Sequence, residues 1–134
     1  MTYVIRIEGE PVGKGRPRFT RRGSTYTPER TKEYGKKIAA QWKDKYGDSV
    51  LTGAVAVVVS AVYGIPKSDS KRMRQAKIDG IIPCLKKPDA DNVLKEIMDY
   101  VPWETSDQQA VNVFVVKTWG EEPHVVATFK EMER

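Results

Sequence analysis

In the stretch Lys87-Pro88-Asp89-Ala90-Asp91-Asn92-Val93-Leu94-Lys95-Glu96-Ile97-Met98-Asp99, three aspartates and a lysine fall into register on a short helix. Pro88 fixes its own φ and biases Lys87 toward an extended conformation, and Asp89 is a preferred N-cap. A helix is therefore predicted to open at Ala90 and to run to about Val101, before Pro102. At about 100° per residue, Asp91, Lys95 and Asp99 follow one another at i, i+4 on one face. Ala90, Val93, Leu94, Ile97, Met98 and Val101 share the opposite arc. One side belongs to a core and the other presents acid, base, acid.

Asp89 and Asp91 cannot share a face inside a continuous helix, because residues two apart diverge by about 200°. With Asp89 in the extended entry and Asp91 in the first turn they can converge, and a divalent cation between them removes the repulsion of two close carboxylates. The pattern is that of half a Mg²⁺ or Mn²⁺ site. Residue types alone leave a plainer alternative open. The acids could cap the helix, with Asp91, Lys95 and Asp99 forming a solvated ladder worth roughly a few tenths of a kcal/mol per pair.

Outward from this stretch, the 134 residues suit one domain around one moderate core. With 40% apolar and 31% charged residues the chain reads as globular. No apolar run is long enough to cross a bilayer, and Met1-Thr2-Tyr3-Val4-Ile5-Arg6 lacks a signal-peptide layout, so the expected compartment is the cytoplasm. Cys84 is the only cysteine, which excludes an intrachain disulfide and a Cys-rich zinc site; it reads as a small apolar filler. His124 is also alone, placed to begin a strand, with no nucleophile partner in view, which argues against histidine-based catalysis.

The net charge of +5 conceals a division along the chain. Residues 1–87 carry 19 Lys/Arg against 8 Asp/Glu, a net +11, and residues 88–134 carry 4 against 10, a net −6. The first part would attract a polyanion and the second a metal cation. An acidic site that handles an anionic substrate makes sense chiefly when metal ions stand between them.

Tyr3-Val4-Ile5-Arg6-Ile7-Glu8 alternates as a half-buried strand, broken by Gly9, Pro11, Gly13 and Gly15. Lys14, Arg16, Arg18, Arg21 and Arg22 follow without an intervening acid, spaced by glycine and proline and with Phe19 among them. Such a run offers close backbone approach, phosphate forks and a stacking face, so it reads as a DNA-binding loop. Thr27-Pro28-Glu29 starts an amphipathic helix, predicted to end near Gly47, whose Tyr34, Ile38, Trp42 and Tyr46 stripe is core packing. Ala54 to Tyr63 is apolar on both faces and is predicted to be a central strand covered on both sides. The basic Lys67–Lys77 segment could form a short exposed helix, and Lys86 and Lys87 lead into the acidic stretch. Val111–Trp119 and Val125–Phe129 are predicted to close the chain as a β-hairpin, with Asp107 just before it, where a loop acid could reach back toward Asp91. The expected fold is thus a single domain over residues 1–134 of the α/β (α+β) class, with a small mixed β-sheet of about four strands packed by two main helices.

With these motifs in family order across nearly the whole chain, the sequence resembles the RusA family of Holliday junction resolvases, in the variety found in prophages and phages of Gram-positive bacteria. The resemblance rests on Lys87-Pro88-Asp89-Ala90-Asp91-Asn92 with Lys95 and Asp99, on Asp107 before a hydrophobic strand, and on Pro11-Val12-Gly13-Lys14-Gly15-Arg16-Pro17-Arg18 with Tyr26-Thr27-Pro28. It implies a Mg²⁺-dependent endodeoxyribonuclease that acts as a homodimer on four-way DNA junctions in a bacterial host cell, with Mn²⁺ as a possible substitute. Carried over by position, Asp89, Asp91 and Asp107 look like the metal-binding catalytic acids and Lys95 like the active-site lysine, with Asp99 in a supporting role. Many relatives have two adjacent acids where Thr105-Ser106-Asp107 offers one, so Glu104 could substitute for Asp107. Two other readings stand beside this one: a non-catalytic basic DNA-binding protein, and a nuclease for flaps or other branched DNA.

Overall fold

The computed structural model describes residues 1–15, 18–19, 25–26 and 29–132, with the backbone alone for 18–19 and 25–26. In chain order the elements are β1 (Thr2–Glu8), β2 (Arg18–Phe19), β3 (Thr25–Tyr26), α1 (Glu29–Tyr46), β4 (Val55–Gly64), α2 (Lys71–Ile78), α3 (Ala90–Asp99), β5 (Ala110–Gly120) and β6 (His124–Glu131). Four strands form one mixed sheet in the order β1-β6-β4-β5, and β2 pairs with β3 separately. β6 runs antiparallel to both β1 and β4, whereas β4 and β5 are parallel. A parallel pair requires a crossover, and the segment carrying α2 and α3 supplies it. This is the α+β domain with a small mixed sheet expected above.

The alternation in the strands decides what is buried. Tyr3, Ile5 and Ile7 of β1, the odd positions 55–63 of β4, and Val125, Ala127 and Phe129 of β6 form one buried face, against which α1 and α3 pack. On α1 the predicted stripe is the core side. The Trp42 ring stacks on Tyr3 at 4.8 Å, meets Phe129 edge-on at 5.8 Å, and its Nε1 donates to the Ser49 carbonyl at 2.9 Å. Gly35 lies on the same side of α1, where a Cβ would overlap the Tyr100 ring. Gly35→Ala is therefore expected to destabilise the fold by about 1–3 kcal/mol despite the better helix propensity of alanine. Thermal unfolding checks this, and Tyr100→Ala in the same chain should return part of the loss.

Two expectations are corrected. The last two strands are not a hairpin, because β4 lies between β5 and β6. The three residues from Glu121 to Pro123 can span two strand spacings, about 10 Å, past the end of β4 at Gly64. There Ile65 donates to the Gly120 carbonyl at 3.0 Å. Second, β4 is central but is covered by helices on one side only. α1 and α3 share the same face, and on the other Val58 is 47% exposed, beside Phe114 at 62% in β5. Smaller differences concern helix limits. α3 ends at Asp99, where the Trp103 indole takes the Met98 carbonyl at 2.8 Å, and α2 begins after Ser70, whose hydroxyl accepts the Met73 N–H.

Candidate metal centre and DNA cleft

α3 opens as its sequence predicts, with Asp89 at the N-cap in extended conformation (φ −67°, ψ 155°), yet the Asp89 side chain makes no capping hydrogen bond. Its carboxylate thus forgoes the ordinary role of an N-cap aspartate. The entry to the helix is fixed by Pro88 instead, whose carbonyl accepts the Tyr63 hydroxyl at 2.5 Å. Burial pushes the Tyr63 hydroxyl up to about 12, with the charges of Cys84, Asp89 and Glu10 adding. Asp89 therefore stands at the C-terminal end of β4. Asp91 follows in the first turn, and Lys95 one turn later, both exposed.

The N-terminal glycine loop is laid against this helix start. A Cβ on Gly13 would stand 2.6 Å from Pro88 Cβ and 3.0 Å from Asn92 Cβ, so only glycine allows the approach. Lys14 N–H donates to the Asn92 carbonyl at 2.9 Å, and Gly15 N–H to Thr31 Oγ1 at 3.2 Å. Between the loop and the head of α3 opens a cleft of about 930 Å³, lined by Lys14, Arg30, Lys86, Lys87 and Asp89 among others. Four cations beside the acids make a place for a phosphate backbone. Arg30, in the first turn of α1, is a cleft residue the sequence did not single out, since its place depends on how α1 meets α3. Lys86 lies 3.9 Å from Glu10. Of the remaining predicted DNA contacts, Arg18 is described only by its backbone pairing with Tyr26, and Arg16, Arg21 and Arg22 lie outside the described residues.

Lys14 reaches farther along the helix than expected. Its ammonium pairs with Asp99 at 2.7 Å, and that hydrogen bond holds its pKa above the ordinary value against burial, with the charges of Asp99, Glu96 and Asp107 adding. Among the described residues neither Asp89, Asp91, Lys95 nor Asp107 enters an ion pair. The solvated ladder of the plainer alternative is not formed, because its third member is held by Lys14.

Asp107 is held firmly, but at the other end. It opens a single 3₁₀ turn, Asp107–Gln109, whose capping box pairs Ser106 with Gln109. The Gln109 amide donates to the carbonyls of Leu51 and Gly53 at 2.9 Å each, which pins the turn beside the start of β4. As the crossover helix, α3 runs back against β4 and β5. Its head lies at their C-terminal ends, and its tail, about 15 Å away, at their N-terminal ends. Asp107 thus stands with Asp99 and Lys14, and Glu104, whose N–H donates to the Leu51 carbonyl at 2.9 Å, stands at that same end. Among the described residues no group of three His, Cys, Asp or Glu side chains stands close enough to hold a metal ion. The chain places Asp89 and Asp91 together on the head of α3 and leaves Asp107 at its tail. As a donor set, exposed carboxylates without ion-pair partners fit a hard cation such as Mg²⁺ or Mn²⁺.

Glu96 is a second residue that sequence reasoning missed. It is 0% exposed between α1 and α3, and among the described residues neither of its oxygens nor the buried Tyr34 hydroxyl has a hydrogen-bond partner. Burial pushes its carboxyl from 4.5 up to about 7, with Asp99 adding and Lys14 opposing. A pKa raised on folding gives stability that is complete below the unfolded value and is lost as pH rises through the folded one. The protein should therefore lose about 2–3 kcal/mol between pH 4.5 and about 8 on account of Glu96 alone. Glu96→Gln removes that loss, so urea midpoints of variant and wild type should coincide near pH 4.5 and separate above pH 7, the variant being more stable.

No helix is long and apolar enough to cross a membrane among the described residues. In sequence the chain is 30% identical over 133 residues to the YqaN protein of Bacillus subtilis (strain 168), itself uncharacterised, and the alignment covers 94% of each chain. The family model described as endodeoxyribonuclease RusA matches residues 8–129. With that match spanning the glycine loop, the head of α3 and the strand after Asp107, the chain belongs to the RusA endodeoxyribonuclease family.

Proposed function

We propose that the protein is a divalent-metal-dependent, structure-selective endodeoxyribonuclease that resolves four-way DNA junctions by paired nicks, as a homodimer in the cytoplasm of a bacterium, in recombination and repair of prophage or host DNA. The observation that carries this reading, within the RusA family, is Asp89: an N-cap aspartate that caps nothing, next to Asp91 and at the mouth of a cleft lined by Lys14, Arg30, Lys86 and Lys87.

In this reading Asp89 and Asp91, at the head of α3, would hold Mg²⁺, or Mn²⁺ in its place, whereas the third expected acid, Asp107, stands at the tail of α3 in the same chain. When bound, the ion supplies an activated water and neutralises charge on the phosphate oxygens. The chain's own groups do the rest. Lys86, Lys87 and Arg30 seat the strand by its backbone, with the basic run Arg16, Arg18, Arg21 and Arg22 extending the contact. Lys95, one turn from Asp91 and unpaired among the described residues, adds positive charge where the phosphate gains negative charge in the transition state. Lys14 and Asp99 hold the glycine loop against α3. A junction has two-fold symmetry and needs two opposed cuts, which a two-fold dimer supplies.

A substrate panel tests the proposal. End-labelled four-way junction, 5′ flap and linear duplex are incubated with the protein in Mg²⁺. Symmetrically paired nicks in the junction, with the linear duplex intact, are expected. Equal or faster cutting of the flap would replace the resolvase by a flap nuclease using the same residues.

A further inference from the structure

Between Pro83 and Pro88 the chain runs without helix or strand, yet its backbone is fixed from both sides. Trp119 Nε1 donates to the Pro83 carbonyl at 3.3 Å, and Lys117 donates to the Lys86 carbonyl at 2.6 Å. Cys84 is buried in the core, and the Pro88 carbonyl takes the Tyr63 hydroxyl. Through Tyr63 of β4 and Lys117 and Trp119 of β5, the C-terminal end of the sheet thus holds this segment on its approach to α3.

Leu85, in the middle of it, is 86% exposed, more than any other large apolar side chain among the described residues. A single exposed leucine is ordinary on a protein surface. This one is presented on a backbone anchored at Pro83, Cys84, Lys86 and Pro88, so covering it with a ligand requires little ordering of the chain.

Its neighbours define that ligand. Lys86 and Lys87 line the cleft that fits a phosphate backbone, and Leu85, one residue before them, stands at its rim. Lys117 adds its charge beside the Lys86 carbonyl. A protein surface laid over Leu85 would have to pair or desolvate these cations. DNA supplies phosphates for the lysines and an apolar base face for the leucine together. In a continuous duplex that face is hidden by stacking, whereas at a branch point, where stacking is interrupted, it is open to a side chain.

We infer that Leu85 is a wedge that inserts between base pairs at the branch point of bound DNA, while Lys86 and Lys87 hold the adjoining strand in the cleft. The inference rests on the reading of the cleft as the DNA site and adds to it a residue that distinguishes branched from linear DNA. Leu85 and Asp89 belong to one fixed segment, so the base step held by the wedge sets which phosphate reaches Asp89 and Asp91.

Fluorescence of 2-aminopurine, which brightens on unstacking, tests the wedge in EDTA, apart from cleavage. Four-way junctions carrying the probe beside the branch point or in the middle of an arm are titrated with wild type, Leu85→Ser and Leu85→Phe. With saturating wild type the branch-point probe should brighten at least about threefold, and the arm probe should not. Leu85→Phe retains an apolar wedge and should keep the signal. Leu85→Ser, with circular dichroism unchanged, should lose it while its junction Kd rises by less than about threefold, because the phosphate contacts remain. In Mg²⁺ the same variant should cut a saturated junction about tenfold more slowly than wild type. Full brightening with Leu85→Ser overturns the inference, and so does equal loss in Leu85→Ser and Leu85→Phe. A lower mass of Leu85→Ser in solution than of wild type assigns Leu85 to a contact between copies and overturns it as well. A wild type that does not bind the junction removes the DNA reading of the cleft and the wedge with it. Binding and cutting without brightening removes the wedge alone, whereas brightening without cutting in Mg²⁺ removes the nuclease reading and leaves the wedge.

Discussion

Asp91→Asn is expected to lower incision of a four-way junction by at least about 10³-fold, on the order of 4 kcal/mol of transition-state stabilisation, while leaving junction binding within about threefold. The substitution preserves shape and deletes one charge. Asp91 is exposed and enters no ion pair among the described residues, so nothing in the fold is left unpaired by it. The only structural cost is the loss of a favourable first-turn carboxylate at the α3 dipole, about 0.3–1 kcal/mol, too small to unfold the domain. Binding is carried by the phosphate contacts of the cleft lysines and Arg30, which the variant keeps. A gel-shift in EDTA and an incision assay in Mg²⁺, run on the same preparation, separate the two effects. Equal loss in both assays would mean that Asp91 positions DNA instead of activating its hydrolysis.

Trp42→Ala is expected to have the largest effect on stability, about 3–5 kcal/mol, lowering the melting temperature by roughly 10 °C or more. Trp42 is 2% exposed and stands where α1 crosses the sheet. It loses contact with Tyr3 at 4.8 Å, Tyr46 at 5.2 Å and Phe129 at 5.8 Å, and the Ser49 carbonyl loses its donor. Three elements, α1, β1 and β6, are tied through this one ring. Trp42→Phe keeps most of the apolar contact and should recover more than half of the loss, which distinguishes packing from the indole hydrogen bond. Calorimetry of both variants decides, and a fall of less than about 1 kcal/mol in Trp42→Ala would contradict the assignment of the ring to the core.

The parts of the fold that were legible in the sequence are those set by local chemistry. Pro88 and the arc of Val93, Ile97 and Val101 place the start and the buried face of α3 correctly, because proline's fixed φ and the helix period act within a few residues. The Tyr34, Ile38, Trp42 stripe likewise needed only the helix period. What failed depends on which strands are neighbours. Two strands joined by a three-residue turn look like a hairpin, and no local signal reports that β4 is inserted between them. That one difference moves Asp107. As the foot of a hairpin it could reach back toward Asp91, whereas as the foot of a parallel strand it stands at the tail of the crossover helix. Glu96 was hidden for a related reason. It lies at the border of the polar and apolar arcs of α3, and only the approach of α1 closes solvent away from it. The double-sided apolar pattern of β4 predicts cover on both sides, but among the described residues the second cover is missing, and Val58 and Phe114 remain open.

The most direct test of a metal-dependent nuclease is a Mg²⁺ titration of junction cutting by the wild-type protein, starting from EDTA, with the product ends mapped. Incision absent in EDTA, restored by Mg²⁺ or Mn²⁺, and leaving 5′-phosphate and 3′-hydroxyl ends is the predicted result. Tight junction binding with no cutting at any metal concentration, or cutting undiminished in EDTA, would contradict it.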